Sequence, residues 1–261
     1  MILIALLLAA TPTGPADTRP VQTRFDECVK QSDLDPAAAQ QIAIAWAKDG
    51  GGVPAAQCLG IARGAAGDWK GAVDAFSTAA DLADKTHQPV AAANLWVSVG
   101  NAALAGGDPA KAREALTTAI ASPDLADPLK GEAYVDRARA AVAANDDQAA
   151  RIDLDQAEKL VSADPMAWLL SATLARRMND PVRASADIKE AQLRAPNQAD
   201  ILYEAGNIAA AGGDMAEARN QWTRAANAEP GSDASNRARA ELAETGAALA
   251  PQAAKSLPLG R

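Results

Sequence analysis

The sequence predicts an all-α chain built of stacked helical hairpins, and three observations carry that prediction. A short pattern recurs five times: Gly-Asp or Asn-Asp, an Ala five residues after the Gly or Asn, a large apolar residue four further on, and an Ala three after that. The copies are Gly67-Asp68 with Ala72, Phe76 and Ala79; Gly107-Asp108 with Ala112, Leu116 and Ala119; Asn145-Asp146 with Ala150, Leu154 and Ala157; Asn179-Asp180 with Ala184, Ile188 and Ala191; and Gly213-Asp214 with Ala218, Trp222 and Ala225. The strides between copies are 40, 38, 34 and 34 residues, and a period near 34 marks arrays of paired helices. No stretch alternates Val, Ile or Thr with polar residues, as half-buried strands would.

Each copy reads as a helix end, a tight turn and a new helix start. Gly or Asn suits the left-handed residue that closes a helix, and the Asp behind it caps the next helix by accepting backbone N–H bonds. Positions i, i+4 and i+7 share one helix face. Alanine there lets a second helix come close, and the large residue fills the gap between neighbouring hairpins.

Taken in order, Met1 to Ala10 is an apolar run too short to span a bilayer as a helix. With the turn-prone stretch that follows, it reads as a secretory signal peptide over residues 1–16, its cleavage site unspecified, although no Lys or Arg precedes it. Residues 17–52 read as N-terminal capping helices: Val21 to Lys30, then a helix capped by Asp35 with Pro36 at its first position, stopped at Gly50 to Gly52. Residues 53–231 hold the five repeats. The first helices of the later four are expected at Ala91 to Ala105, Gly131 to Ala144, Met166 to Met178 and Asp200 to Ala211. A more polar capping helix is expected over 232–245, and 246–261, without periodicity, is expected to be a disordered tail. No interior linker is long enough to separate two domains, so one solenoid is expected. The competing reading is an Ala-rich bundle without true repeats.

Two cysteines, Cys28 and Cys58, fall in the first helices of successive hairpins. Stacking brings equivalent positions together, and an oxidising compartment would favour a disulfide; two buried thiols are the alternative. If the source is a bacterium, the leader places the product in the periplasm or outside the cell.

The residues at the packing positions strongly resemble the tetratricopeptide repeat. Trp96, Val99, Gly100 and Ala103 in one first helix match Trp168, Ser171, Ala172 and Ala175 and then Leu202, Ala205, Gly206 and Ala209 in others, and Pro196 and Pro230 stand where second helices stop. The resemblance covers about residues 53–230. It is poor at the second aromatic of the first helix, here Arg63, Ala103, Ala141, Ala175 and Ala209. It implies a right-handed superhelical solenoid of antiparallel helix pairs, about five repeats with an N-terminal hairpin and a C-terminal capping helix. It also implies a protein or peptide partner held in a concave groove lined by the first helices. Carried across, the groove positions are Gln57, Asn94, Asn101, Arg139, Thr173, Arg176, Arg177, Tyr203 and Asn207. Asn101, Arg139, Thr173 and Asn207 share one position and form an expected polar ladder; the three arginines suit a carboxylate. Val97 and Asp136 stand where the family's carboxylate-clamp variety wants polar or basic residues, so that variety is not expected.

Little points to catalysis. The lone histidine, His87, sits in an expected turn before Pro89. No Cys/His set has zinc spacing, no acidic loop fits calcium, and no phosphate-binding glycine loop occurs, so neither metal nor cofactor is expected. Asp153 and Asp155 fall on different sides of one helix and read as solvated surface carboxylates. A net charge of −8 argues against nucleic acid, which needs a basic stripe. The expected product is therefore an exported, non-enzymatic scaffold or adaptor. The alternative is a structural subunit of an envelope assembly, packing through helix edges or self-associating, with Trp69 as a candidate contact that otherwise packs on the adjacent hairpin.

Overall fold

The computed structural model describes residues 19–253, and among them all regular structure is helical. The expected signal peptide lies outside the described residues. The described chain forms two compact units, one ending at Gly106 and one beginning at Gly107. That boundary falls inside the segment expected to form one solenoid. Unit 1 contains α1 (Val21–Leu34), α2 (Pro36–Lys48), α3 (Gly52–Ala65), α4 (Trp69–Lys85) and α5 (Pro89–Ala105). Unit 2 contains α6 (Pro109–Ala121), α7 (Asp127–Ala143), α8 (Asp147–Leu160), α9 (Pro165–Arg177), α10 (Pro181–Arg194), α11 (Ala199–Ala211), α12 (Met215–Ala228) and α13 (Asp233–Ala253). The last helix runs to Ala253, past the expected end at residue 245. Within each unit consecutive helices pack on one another, α2 on α3 and α3 on α4 in the first, α7 on α8, α8 on α9 and α9 on α10 in the second.

All five recurrent turns have the expected geometry. Gly67, Gly107, Asn145, Asn179 and Gly213 all take positive φ, between 59° and 83°. The Asp after each accepts a hydrogen bond from the backbone N–H three residues on: Asp68 from Gly71, Asp108 from Lys111, Asp146 from Ala149, Asp180 from Arg183 and Asp214 from Glu217. A cap of this kind is worth about 1 kcal/mol. His87 takes φ 56°. It closes α4 just as the glycines close other helices, its N–H donating to Asp84 O.

Close approach explains the alanines. The ten alanines of the five copies are all at most 1% exposed. The residue sixteen before the large knob is small to match it. Gly60 lies against Phe76 and Gly206 against Trp222, where an added Cβ would stand 2.6 and 2.4 Å from the rings. Where the knob is Leu154 or Ile188, the matching residues are Ala138 and Ala172. Glycine thus appears opposite the aromatic knobs of α4 and α12, where the ring occupies the space of a methyl group.

The two units are tied differently. In unit 1, Cys28 of α1 and Cys58 of α3 form a disulfide with a Cα–Cα distance of 6.2 Å. Both sulfurs sit in a core with Ala43, Phe25 and Leu59. In unit 2 a chain of buried polar groups links α7 to α10. Arg137 forks to Asp153, at 2.9 and 2.6 Å. Arg151 reaches Asp155 at 3.0 Å and the Ser171 hydroxyl at 2.7 Å. That hydroxyl donates to Asp187, and Arg183 joins Asp187 and Glu158, each at 3.0 Å. This corrects the expectation for Asp153: it is 4% exposed and ion-paired, because its partner lies sixteen residues away on the facing helix. Asp155 points elsewhere, as its spacing requires, toward Arg151 and Arg183. The bonds to Asp153 raise the Arg137 pKa further above its ordinary value, against the cost of burial. For Arg183 burial acts to lower the pKa, but the Asp187 bond and the charges of Glu158, Asp187 and Asp155 outweigh it, so its net shift is upward.

Candidate functional site

In unit 2 the expected groove residues separate into two groups. The first surrounds a cleft of about 140 Å³ whose floor is Val142 of α7, Leu154 of α8, and Leu170 and Leu174 of α9, with Arg139, Thr173 and Arg177 also lining it. The helix period puts Leu170, Thr173, Leu174 and Arg177 on one face of α9. Pro165 at the first position and the Asp164 cap fix where that helix begins, and so which face it turns to α7. Arg139 donates to Asp136 on its own helix at 3.1 Å and is 58% exposed. Arg177 donates to Asp147, the first residue of α8, at 3.1 Å. Thr173 donates its hydroxyl proton to Leu169 O, leaving its lone pairs as acceptors. Burial pushes the Asp136 carboxyl above its ordinary pKa, while the charge and hydrogen bond of Arg139 act to lower it.

The second group is internal. Arg176 forks to Glu204 of α11 at 2.6 and 3.3 Å. Asn207 donates to the same carboxylate at 3.1 Å and accepts the indole N–H of Trp222 at 3.1 Å. Both ends of the Asn207 amide are thus engaged, and the Arg176 charge is matched. Tyr203 has its hydroxyl 3.5 Å from a Glu241 oxygen, and the Arg237 guanidinium stands 5.2 Å from its ring centre. The expected ladder is therefore split: Arg139 and Thr173 line one cleft, and Asn207 turns into a network. In unit 1, Asn94 is exposed and Gln57 half-buried. Asn101 lines an open cleft of about 310 Å³ with Gly60, Trp69 and Phe76. Trp69 packs near Gly64 and Gly106 and is 38% exposed.

Glu204 and the leucine floor were not among the expected groove residues, and Asp136, noted as a groove position, was not expected to pair with Arg139. A usable signal was present: Asp136, Leu170 and Glu204 recur three residues before Arg139, Thr173 and Asn207, so each sits beside a groove position on the same helix. Among the described residues no cluster of three or more His, Cys, Asp or Glu could hold a metal ion, and no helix is long and apolar enough to cross a membrane.

A family model described as tetratricopeptide repeat matches residues 100–165 and 169–234, about half of the chain. No curated protein matches it in sequence. Among solved structures, pilF of Pseudomonas aeruginosa aligns with a TM-score of 0.66 at 14% identity, over 85% of this chain and 99% of that one. PilW, described as a widely conserved type IV pilus biogenesis factor, aligns at 0.66 with 17% identity, over 83% and 97%. YrrB, described as a TPR protein with an unusual peptide-binding site, aligns at 0.54 with 14% identity, over 82% and 97%. At these identities the likeness is one of fold.

Proposed function

The chain belongs to the tetratricopeptide repeat family, and from that premise we propose that it is an exported, non-enzymatic adaptor that captures a protein or peptide segment on the first helices of its hairpins. One observation carries this reading. Several arginines of unit 2, Arg137, Arg151 and Arg183 among them, are spent in half-buried ion pairs, whereas Arg139 and Arg177, each paired with a single carboxylate, Asp136 and Asp147, have exposed side chains beside an apolar floor. Apolar surface ringed by a few placed polar groups is the usual make-up of a binding site. Export is supported by the apolar run at residues 1–10 and by the disulfide, a bond that persists in oxidising compartments. The peptide-binding description of YrrB agrees with the reading.

In-cell crosslinking with mass spectrometry of the captured proteins tests it. Arg139→Ala and Arg177→Ala should each weaken capture while leaving the helical circular dichroism unchanged; equal capture by both variants and the parent would refute groove binding. Arg176→Ala is a poor probe because it strands Glu204. Export is tested by cell fractionation and by thiol titration with and without reductant: reactive thiols before reduction, with the protein in the cytoplasm, would reject it.

A second reading, a structural subunit of an envelope assembly, is favoured by Ile152, Val182 and Leu193 on second helices, which are 63–81% exposed. Size-exclusion chromatography with light scattering separates the two: a monomer insensitive to concentration speaks against self-association.

A further inference from the structure

The geometry points to a side-chain pocket in the α7–α9 cleft that takes one large apolar residue of an extended peptide, with Arg139 and Arg177 holding an Asp or Glu two residues away; this rests on the groove reading above. The cleft measures about 140 Å³ and its floor is Val142, Leu154, Leu170 and Leu174. An apolar cavity of about 150 Å³ accepts a benzene-sized group, so one leucine or phenylalanine side chain fits and an unbranched polypeptide backbone does not. In an extended peptide residues i and i+2 share a face, roughly 7 Å apart, so a neighbour at that spacing points the same way as the residue in the pocket.

The charges decide the neighbour. Each of the two guanidiniums makes one hydrogen bond to a carboxylate, Arg139 to Asp136 and Arg177 to Asp147, and each has five N–H donors. Donors remain for an incoming carboxylate. The two side chains are 58% and 40% exposed, so their guanidiniums meet a carboxylate in the solvent above the floor. A flexible acidic side chain reaches that level. The chain carries a net −8, so acidic partners are repelled generally; Asp136 and Asp147 balance the two arginine charges, and what draws a carboxylate here is the guanidinium N–H donors left over. Recognition should therefore need both the apolar and the acidic residue and should weaken with salt.

The probe is an acetylated, amidated Ser/Gly peptide containing Glu-Ser-Leu-Ser-Glu, titrated into the isotopically labelled full chain and followed by amide NMR shifts. The expected result is saturable shifts at residues 139, 173 and 177. Affinity should fall about tenfold or more when the glutamates become glutamines, when the leucine becomes alanine, or in Arg177→Gln, since a charge-assisted hydrogen bond contributes about that much. Arg139→Gln should behave like Arg177→Gln, and the peptide substitutions test the idea even if a variant folds poorly. Absence of saturable shifts overturns it, as does indifference to the glutamates. Equal binding by a neutral peptide ending in a free leucine also overturns it, because the site would then read a terminus. If the pocket fails in these ways while Arg139→Ala still loses its captured partner, groove binding stands and only the peptide chemistry falls.

Discussion

The α3–α4 hairpin of unit 1 and the α7–α10 hairpins of unit 2 use one repeat frame and hold it by different chemistry. At the position one before the large knob, α4 has Ala75 while α8 has Asp153 and α10 has Asp187. Sixteen residues earlier the first helices have Leu59, Arg137 and Ser171 in turn. Unit 1 fills the frame with apolar side chains and adds a covalent tie. The α7–α10 hairpins fill it with buried carboxylates, Asp153 and Asp187, met by a guanidinium and a hydroxyl. The difference teaches that this backbone tolerates either filling when a buried polar group finds a partner: Gln221 of α12 stands over Ala205 and bonds instead to Gln192, Glu217 and Arg224. A dry pair is non-directional, whereas a forked ion pair adds a geometric requirement.

The largest effect should come from the covalent tie. Cys28→Ser with Cys58→Ser is expected to destabilise the protein by about 3–4 kcal/mol, as the chain-entropy model gives for a loop of this length, read as a denaturation midpoint below that of the oxidised parent; reductant should reproduce the loss in the parent. Asp153→Ala strands Arg137 and should cost about 2–3 kcal/mol, below the usual range for a broken buried pair because Arg137 keeps some solvent contact. The double change Arg137→Leu with Asp153→Ala installs the unit 1 filling and should recover most of that loss. A double variant as unstable as Asp153→Ala would show that the two fillings are not interchangeable.

Gly206→Ala drives a Cβ into the Trp222 ring and should cost about 1–3 kcal/mol, whereas combining it with Trp222→Leu should behave as the native Ala138–Leu154 pair does; thermal unfolding of both variants checks this. Asp180→Ala removes one helix cap and should cost about 1 kcal/mol, measured by chemical denaturation. Asp136→Asn should have the smallest effect, on the stabilising side at neutral pH. Burial raises the folded-state pKa of Asp136 above 3.8, so the ionised form opposes folding. That penalty is present in full above the raised pKa and disappears below the ordinary value. The variant's advantage should vanish in acid, and an advantage that grows as pH falls would contradict the assignment.

Local features were legible in the sequence because local chemistry decides them. Gly67, Asn145 and Asn179 were recognisable as left-handed helix ends, and Asp68, Asp146 and Asp180 as caps, since each acts within a few residues of itself. The burial of Asp153 was not legible from its helix alone. It depends on Arg137 of the facing helix, although the sixteen-residue pairing was present in the chain once both columns were compared. Arg176 and Asn207 read as groove donors from repeat position alone, because their partner Glu204 is set against Arg176 by the packing of α11 on α9.

By itself the sequence determined the class of fold, the turns and the small-and-large packing columns, since helix period, backbone sterics and repeat spacing act at short range. The tertiary structure alone decided which charges are paired in the interior and which stand exposed beside an apolar floor. A side chain's free energy depends on what desolvates it and what meets it there, and both are set by helices far away along the chain.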